Sequence, residues 1–359
     1  MQIESNFSLQ KLNSFGFLSY AEYFVSVEDE HALSTAIEFA LEKKIPWQVL
    51  GSGSNVVLQE FLPGLTIHMA ILGKKLVSES ATHFYIDCGA GESWHDFVQW
   101  TLESGYPGLE NLALIPGTTG AAPIQNIGAY GAEVAGMIDS VEVLDTKSLQ
   151  STEANFAGDL STQQNWQVIP KSECQFAYRD SIFKRELPAY VVTQVRFAIP
   201  KKWQANLSYA ELANFFLHNK SPTPLEIFEA VIAIRSRKLP HPKVLGNAGS
   251  FFHNPVVDLA THQQLKEQFA GLVSYPAPDH FGEKQFKLAA GWLIDQCGLK
   301  GYRAGDCGVY EKQALVLVNY GNATGSEVLQ LANHIKHCVL EKFGVSLHQE
   351  PINLPNGKV

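Results

Sequence analysis

Ile115-Pro-Gly-Thr-Thr-Gly-Ala-Ala-Pro-Ile-Gln-Asn-Ile-Gly-Ala-Tyr-Gly-Ala-Glu133 is the stretch around which the chain is organised. Gly117, Gly120, Gly128 and Gly131 stand among small side chains, and glycine permits positive φ and close approach of another backbone or a ligand. Thr118, Thr119, Gln125 and Asn126 can hydrogen-bond, yet none carries charge. Such a backbone can turn N–H groups toward phosphates or a polar heterocycle. A purely structural tight loop is the competing reading. A second run, Gly51-Ser-Gly-Ser-Asn55, weighs against it. That run separates two strand-like segments, Trp47 to Leu50 and Val56 to Leu58. It is not a Walker loop, because no Gly-Lys-Ser/Thr follows. It is not a dinucleotide fingerprint either, because the third glycine and the helix behind it are missing.

The 359 residues predict two or three domains at roughly 100–200 residues each. With 45% hydrophobic and 18% charged residues, the composition is that of a globular protein. A net charge of −9 argues against nucleic acid or an anionic membrane as partner. An anionic small substrate needs only a local basic pocket. Met1 to Gln10 lacks the basic-then-apolar order of a signal peptide, and no apolar run approaches the ~18 residues of a membrane span. A cytoplasmic monomer is expected. Cys88, Cys174, Cys297, Cys307 and Cys338 are odd in number and form no Cys-x-x-Cys pair, so they read as reduced thiols. His334, His337 and Cys338 lie in a helical pattern without a second cluster, so no metal is expected.

Outward from the glycine runs, the first ~200 residues read as α+β with short strands. Glu28 to Lys44 carries helical spacing, stopped by Pro46, and Ser93 to Gly105 is a second helix. Leu65 to Met69, His83 to Cys88, Val141 to Leu144 and Tyr190 to Ile199 read as strands, whereas Asp145 to Glu173 is polar and weakly patterned. Lys201 to Ser221 is a connection. Thr223-Pro-Leu-Glu226 is a capping box with Pro at the first helical position. Lys287 to Cys297 is expected as a helix capped by Gly298, and Ala314 to Val318 as a buried strand. Thr324-x-x-Glu327 opens a last helix that Gly344 ends. Val345 to Leu347 is expected to return as a strand.

The second half carries Arg237-Lys-Leu-Pro-His-Pro-Lys243 and then Gly246-Asn-Ala-Gly-Ser-Phe-Phe-His-Asn-Pro255. Ser250 follows small residues on a turn and precedes two bulky apolar ones. It could be held in a dry pocket beside a reactive atom, or merely cap the turn. No Gly-x-Ser-x-Gly elbow marks it as a hydrolase nucleophile.

Gly51-Ser-Gly-Ser-Asn55, Ile115-Pro-Gly, Pro123-Ile-Gln-Asn-Ile-Gly-Ala-Tyr-Gly131, Tyr178-Arg-Asp-Ser181, Lys238-Leu-Pro240 and Gly246-Asn-Ala-Gly-Ser250 occur in that order. Together they resemble the UDP-N-acetylenolpyruvoylglucosamine reductase family over almost the whole chain. The Ala-Tyr-Gly ending and Leu207-Ser-Tyr209 are similar to its subgroup with a tyrosine-bearing substrate loop.

The resemblance implies an α+β fold: a two-subdomain FAD-binding region like that of vanillyl-alcohol oxidase, then a C-terminal α+β substrate domain. The implied division is 1–69 and 70–221 for FAD, 222–345 for substrate, and a tail, 346–359, returning to the flavin. FAD would be noncovalent, because the Gly51 loop has no tethering histidine. The cofactor set would be Gly51, Ser52, Gly53, Ser54, Asn55, Pro116, Gly117, Thr118, Thr119, Gly120, Ile124, Asn126 and Gly128. NADPH would be the hydride donor and a UDP-sugar enolpyruvyl ether the substrate, taking hydride at C3 and a proton at C2. Ser250 would give that proton, and Arg179 and Glu350 would stabilise the charge spreading into the carboxylate. Tyr209, Lys238, Asn254 and Gln313 would hold the diphosphate. Around Glu350 the proline stands after the acid, as Pro351, where the family pattern has it before, and Glu341 is the other carboxylate of that region. An FAD-dependent sugar or alcohol oxidase of the same architecture is the alternative, and a non-catalytic nucleotide-binding protein a second.

Overall fold

In a computed structural model of the chain, residues 2–146, 165–186, 189–219, 221–277 and 284–355 are described. Two compact units emerge. The first comprises Met1–Phe7, Ala21–Ser52 and Pro63–Ser236, and the second Ser8–Tyr20, Gly53–Leu62 and Arg237–Val359. The Gly51–Asn55 run is thus divided after Ser52. The capping-box helix Pro224–Lys238 groups with the first unit as far as Ser236, not with the residues that follow it. Its box forms as read: Thr223 N–H donates to Glu226 Oε2 at 2.7 Å, and Glu226 N–H donates to Thr223 Oγ1 at 3.3 Å.

The first unit holds two sheets. One has the order Glu4–Ser8, Tyr20–Val27, Phe61–Met69, Trp47–Leu50. Against it runs the helix Glu30–Glu42, whose Leu33, Ala36, Ile37 and Ala40 are fully buried at helical spacing. Asp29 caps that helix, accepting from Ala32 N–H at 2.7 Å. The other sheet has the order Trp166–Pro170, Ile138–Asp145, Tyr190–Pro200, His83–Gly89, Lys74–Glu79, all antiparallel. Trp166–Pro170 hid in the weakly patterned segment. As an edge strand it buries only Ile169 of its five residues, so no alternation shows. Residues 147–164 of that segment lie outside the described residues.

The second unit is built on a four-stranded sheet, Gly246–Ser250, Val316–Asn319, Cys307–Val309 and Arg303–Ala304. A smaller sheet has the order Val256–Asp258, Gln285–Leu288, Ser274–Pro276. The segment Ser8–Tyr20 belongs here because Phe15 enters this core. Its ring packs edge-on to Phe251 at 6.4 Å, and Phe251 meets Phe252 at 5.2 Å. The last helix, Gly325–Phe343, has both arms of its capping box, and Gly344 closes it at φ 66°.

Two expectations are corrected. Lys287 to Cys297 is not one helix: Gln285–Leu288 pairs with two strands, and the helix is Ala290–Gln296. Tertiary pairing overrides local helix preference here. Val345 to Leu347 forms no strand; the strand is Ile352–Leu354, which pairs in parallel with Val56–Leu58. The connection after Lys201 also contains a short helix, Ala210–Phe215.

Gly53 shows how tightly the first glycine run is built. It has φ 63°, and a Cβ there would lie 2.0 Å from the Leu12 carbonyl oxygen. Its own carbonyl accepts from Ser14 N–H at 3.0 Å. Gly53→Ala is therefore expected to destabilise by about 3 kcal/mol or more, combining left-handed strain with a backbone clash. Denaturant unfolding checks this, and a loss under about 1 kcal/mol contradicts the packing described.

Candidate active site

The central glycine run is fastened to the end of the five-stranded sheet. Thr119 N–H donates to Glu92 O at 2.8 Å, and Gly120 N–H to Ala90 O at 2.9 Å. A Cβ on Gly120 would lie 2.4 Å from that of Ala90, so only glycine fits. Trp94 Nε1–H donates to Leu112 O at 2.9 Å, and His95 Nδ1 accepts from Leu114 N–H at 3.1 Å. Burial lowers the pKa of His95, in keeping with a neutral ring that accepts at Nδ1. At the other glycine run, a Cβ on Gly51 would stand 2.7 Å from Thr118 Oγ1. The two runs thus meet, within the first unit, across an edge that carries no side chain at Gly51.

Two motifs fifty residues apart form one knot. Ser181 Oγ donates to Ile124 O at 2.6 Å, and Asn126 Nδ2 donates to Ala177 O at 3.0 Å. Arg179 Nη2 donates to Gly128 O at 2.6 Å, and Nη1 lies 3.4 Å from Asn126 O. The absence of a Cβ on Gly128 admits that guanidinium, since one would lie 3.0 Å from Nη1. Arg179 itself has φ 54°, a left-handed conformation that costs a non-glycine residue of order 1–3 kcal/mol and gathers at functional sites. Asn126, 1% exposed, also donates to Glu133 and accepts from Ala135 N–H. Its side chain is consumed in holding the loop, whatever its backbone does for a ligand.

The tyrosine loop rests on the same hairpin. Tyr130 and Gly131 form its turn, with φ 49° and 81°. Asn206 Nδ2 donates to Gly131 O at 3.0 Å, and buried Asn111 donates to both Tyr130 O and Asn206 O at 2.9 Å. Tyr209, 41% exposed, meets the Tyr130 ring edge-on at 5.2 Å. Beneath lies Glu110, which accepts from Trp203 Nε1–H at 2.6 Å and Gly108 N–H at 2.7 Å. Burial pushes that carboxyl's pKa up.

In the second unit, the strand carrying Ser250 breaks register against Val316–Asn319 between Asn247 and Ser250. Such a bulge re-aims a side chain. Gly249 at φ 72° makes the turn, and Asn247 fixes it by accepting from Gly249 N–H at 2.9 Å. Ser250 is exposed rather than enclosed in a dry pocket, while Phe251 and Phe252 behind it are buried. The tail lies alongside: Glu350 N–H donates to Phe251 O, and His253 N–H to His348 O, both at 2.9 Å. Ile352 N–H then donates to Asn55 O at 3.0 Å, so the tail passes from the Ser250 strand to the first glycine run. Glu341 instead sits exposed on the last helix, 3.2 Å from His337.

Asn254 and Gln313 converge on one helix start. Asn254 Oδ1 accepts from Ala290 N–H at 3.0 Å, and a Cβ on Gly291 would lie 2.9 Å from Gln313 Oε1. Lys238 ends its helix, half-buried, ahead of Pro240, whose carbonyl accepts from Asn247 Nδ2 at 3.0 Å. Sequence reasoning missed Arg235. Its Nε is shut from solvent and has no hydrogen-bond partner among the described residues. Burial disfavours its charge, and Arg179 stands near enough to oppose that charge further. The signal was present: Arg235 follows inward-facing Phe228 by seven residues, so a cation occupies a core position.

A family profile described as an FAD binding domain matches residues 21–148, and one described as the C-terminal domain of UDP-N-acetylenolpyruvoylglucosamine reductase matches 241–354. A reductase of that name from Polynucleobacter asymbioticus is 50% identical over 98% of this chain and 96% of its own. The chain belongs to the UDP-N-acetylenolpyruvoylglucosamine reductase family. A Bdellovibrio bacteriovorus reductase is 46% identical over 98% of this chain and 99% of its own. The crystal structure of the Thermus caldophilus reductase matches at 25% identity with TM-score 0.65, covering 99% of this chain and 100% of that one. The present reductase is an FAD-binding α+β oxidoreductase. Its own geometry suits such a group: the glycine runs meet at an edge bare of side chains at Gly51, and half-buried Arg235 has an Nε donor shut from solvent and unfilled among the described residues. Among the described residues no helix is long and apolar enough to cross a membrane.

Asn111→Ala removes the amide that ties the tyrosine loop to the glycine hairpin. Stability should fall by roughly 1–3 kcal/mol, because two part-buried carbonyls lose their donor. Limited proteolysis should accelerate between Trp203 and Tyr209; unchanged cleavage there would show that Asn111 does not hold the loop.

Proposed function

We propose that this reductase converts the enolpyruvyl ether of UDP-N-acetylglucosamine to UDP-N-acetylmuramate for peptidoglycan, with Ser250, Arg179 and Glu350 as its catalytic residues. Membership of the family carries the activity. One observation supports the residue assignment above others: the backbone pairing that sets Glu350 beside Phe251, the residue after Ser250. When bound, FAD would supply the hydride-carrying chemistry that links NADPH to C3 of the enolpyruvyl group. Ser250 gives its hydroxyl proton to C2, whose carbanion character makes it basic enough for so weak an acid. Arg179 holds the substrate carboxylate as charge spreads into it, its guanidinium already oriented by the glycine-run carbonyls. Glu350 meets the same carboxylate and shares a proton with it. Tyr209, Lys238, Asn254 and Gln313 bind the diphosphate, with Lys238 as its point charge. The thirteen residues of the two glycine runs named above hold FAD, mostly through backbone. The enzyme works as a monomer in the cytoplasm, and sedimentation of the holoenzyme tests the first half of that statement.

Anaerobic stopped-flow separates the two half-reactions. In Ser250→Ala, NADPH should still bleach the flavin, while reoxidation by substrate slows by more than the ~10²–10⁴ common for one acid–base group. Equal slowing of both phases would make Ser250 a pocket wall instead. Glu350→Gln should slow reoxidation and Glu341→Gln should not; the reverse pattern would reassign the tail.

A further inference from the structure

The pairing that places Glu350 also places a second titratable side chain against it. Phe252 and Gln349 form the bridge, and the two hydrogen bonds around it run from His253 N–H to His348 O and from Glu350 N–H to Phe251 O. That is the geometry of a non-hydrogen-bonded antiparallel pair. Successive side chains alternate faces, so Phe252 and Gln349 share one face and His253 and Glu350 share the other, as diagonal neighbours. Diagonal neighbours are within reach of long side chains. The observed separation agrees: His253 Nδ1 stands 3.9 Å from Glu350 Oε2, with side-chain exposures of 16% and 14%.

We infer that His253 is a positioning residue for Glu350, fixing the rotation of its carboxyl through an imidazole–carboxyl contact. The inference rests on the role of Glu350 proposed above. A carboxyl at the end of a glutamate has three rotatable bonds, and catalysis by a donor or acceptor depends on its being held in one orientation. The peptide pairing fixes only the Glu350 backbone. The His253 ring stands beside its Oε2 and supplies a lateral contact. The contact suits either location of a proton. A protonated imidazole presents Nδ1–H to a carboxylate, and a protonated carboxyl presents O–H to a neutral Nδ1. The distance exceeds a direct hydrogen bond, so a small rotation of either side chain, or one water, completes it. Partial burial lessens screening by salt. His253 stands three residues after Ser250, beyond the end of the strand Gly246–Ser250, and one before Asn254.

A double-mutant cycle on the FAD-loaded enzyme tests this, reading anaerobic flavin reoxidation by the UDP-sugar enolpyruvyl ether, with FAD content and melting temperature as checks on folding. His253→Gln should slow reoxidation by ~10-fold, a fraction of the ~10²–10⁴ expected for loss of an acid–base group itself. In the Glu350→Gln background His253→Gln should change the rate by less than about 2-fold, because residues acting through one another are not additive. Unaltered reoxidation in His253→Gln overturns the inference, as does full additivity of His253→Gln with Glu350→Gln. If the Glu350→Gln single variant reoxidises at the wild-type rate, the proposed role of Glu350 fails first, and that variant alone reveals it. If His253→Gln sheds FAD or melts early, His253→Asn takes its place in the cycle under the same criteria.

Discussion

A run of glycines, alanines and threonines cannot hold itself in shape, and the side chain of Asn126 supplies what the run lacks. It is buried, sits at φ 45°, and spends its amide on Glu133, Ala177 and Ala135. Asparagine tolerates that left-handed backbone better than most residues, and its side chain can imitate a turn. Ser181 and Arg179 reach the same loop from Tyr178-Arg-Asp-Ser181 and occupy the carbonyls of Ile124 and Gly128. The arrangement is reciprocal. The glycine run orients the Arg179 guanidinium, and the guanidinium holds the run open.

The same contrast between local and long-range contacts separates the parts of the candidate site that stand out in sequence from those that do not. Ser250, Arg179 and the glycine runs carry residue types and spacings that few packing needs would produce together. Caps were legible for a local reason: Thr223 with Glu226, and Thr324 with Glu327, satisfy backbone donors within one turn. Long-range partners were not. Trp166–Pro170 pairs at a sheet edge with mostly exposed side chains, and Gln285–Leu288 becomes a strand only because two other strands flank it. Arg235 was overlooked because an arginine near a helix end ordinarily reaches solvent, whereas here its Nε is buried.

The tail shows the same limit in sharper form. Pro351 suggests an extended backbone at Glu350, and the apolar triplet Val345 to Leu347 misled the placing of the strand. Val345 and Leu347 are buried without joining a ladder, and Ile352–Leu354 makes the pairing instead. Three residues of hydrophobic pattern do not distinguish a strand from a packed irregular segment.

That pairing has a bearing on how the protein is made. Val56 lies in register with Ile352 in a parallel ladder, a contact between residues 352 − 56 = 296 positions apart. Contacts of such separation form late, since loop closure must come before any gain. During synthesis at ~5–20 residues per second, Val56–Leu58 would wait roughly 15–60 s for its partner to be translated. Throughout that interval an apolar strand, buried in the finished molecule except for half-buried Val56, lacks its ladder. The glycine run ahead of it and the polar Gln59-Glu60 behind it are short, charged or kinked flanks of the kind that keep an unpaired strand from pairing with another chain.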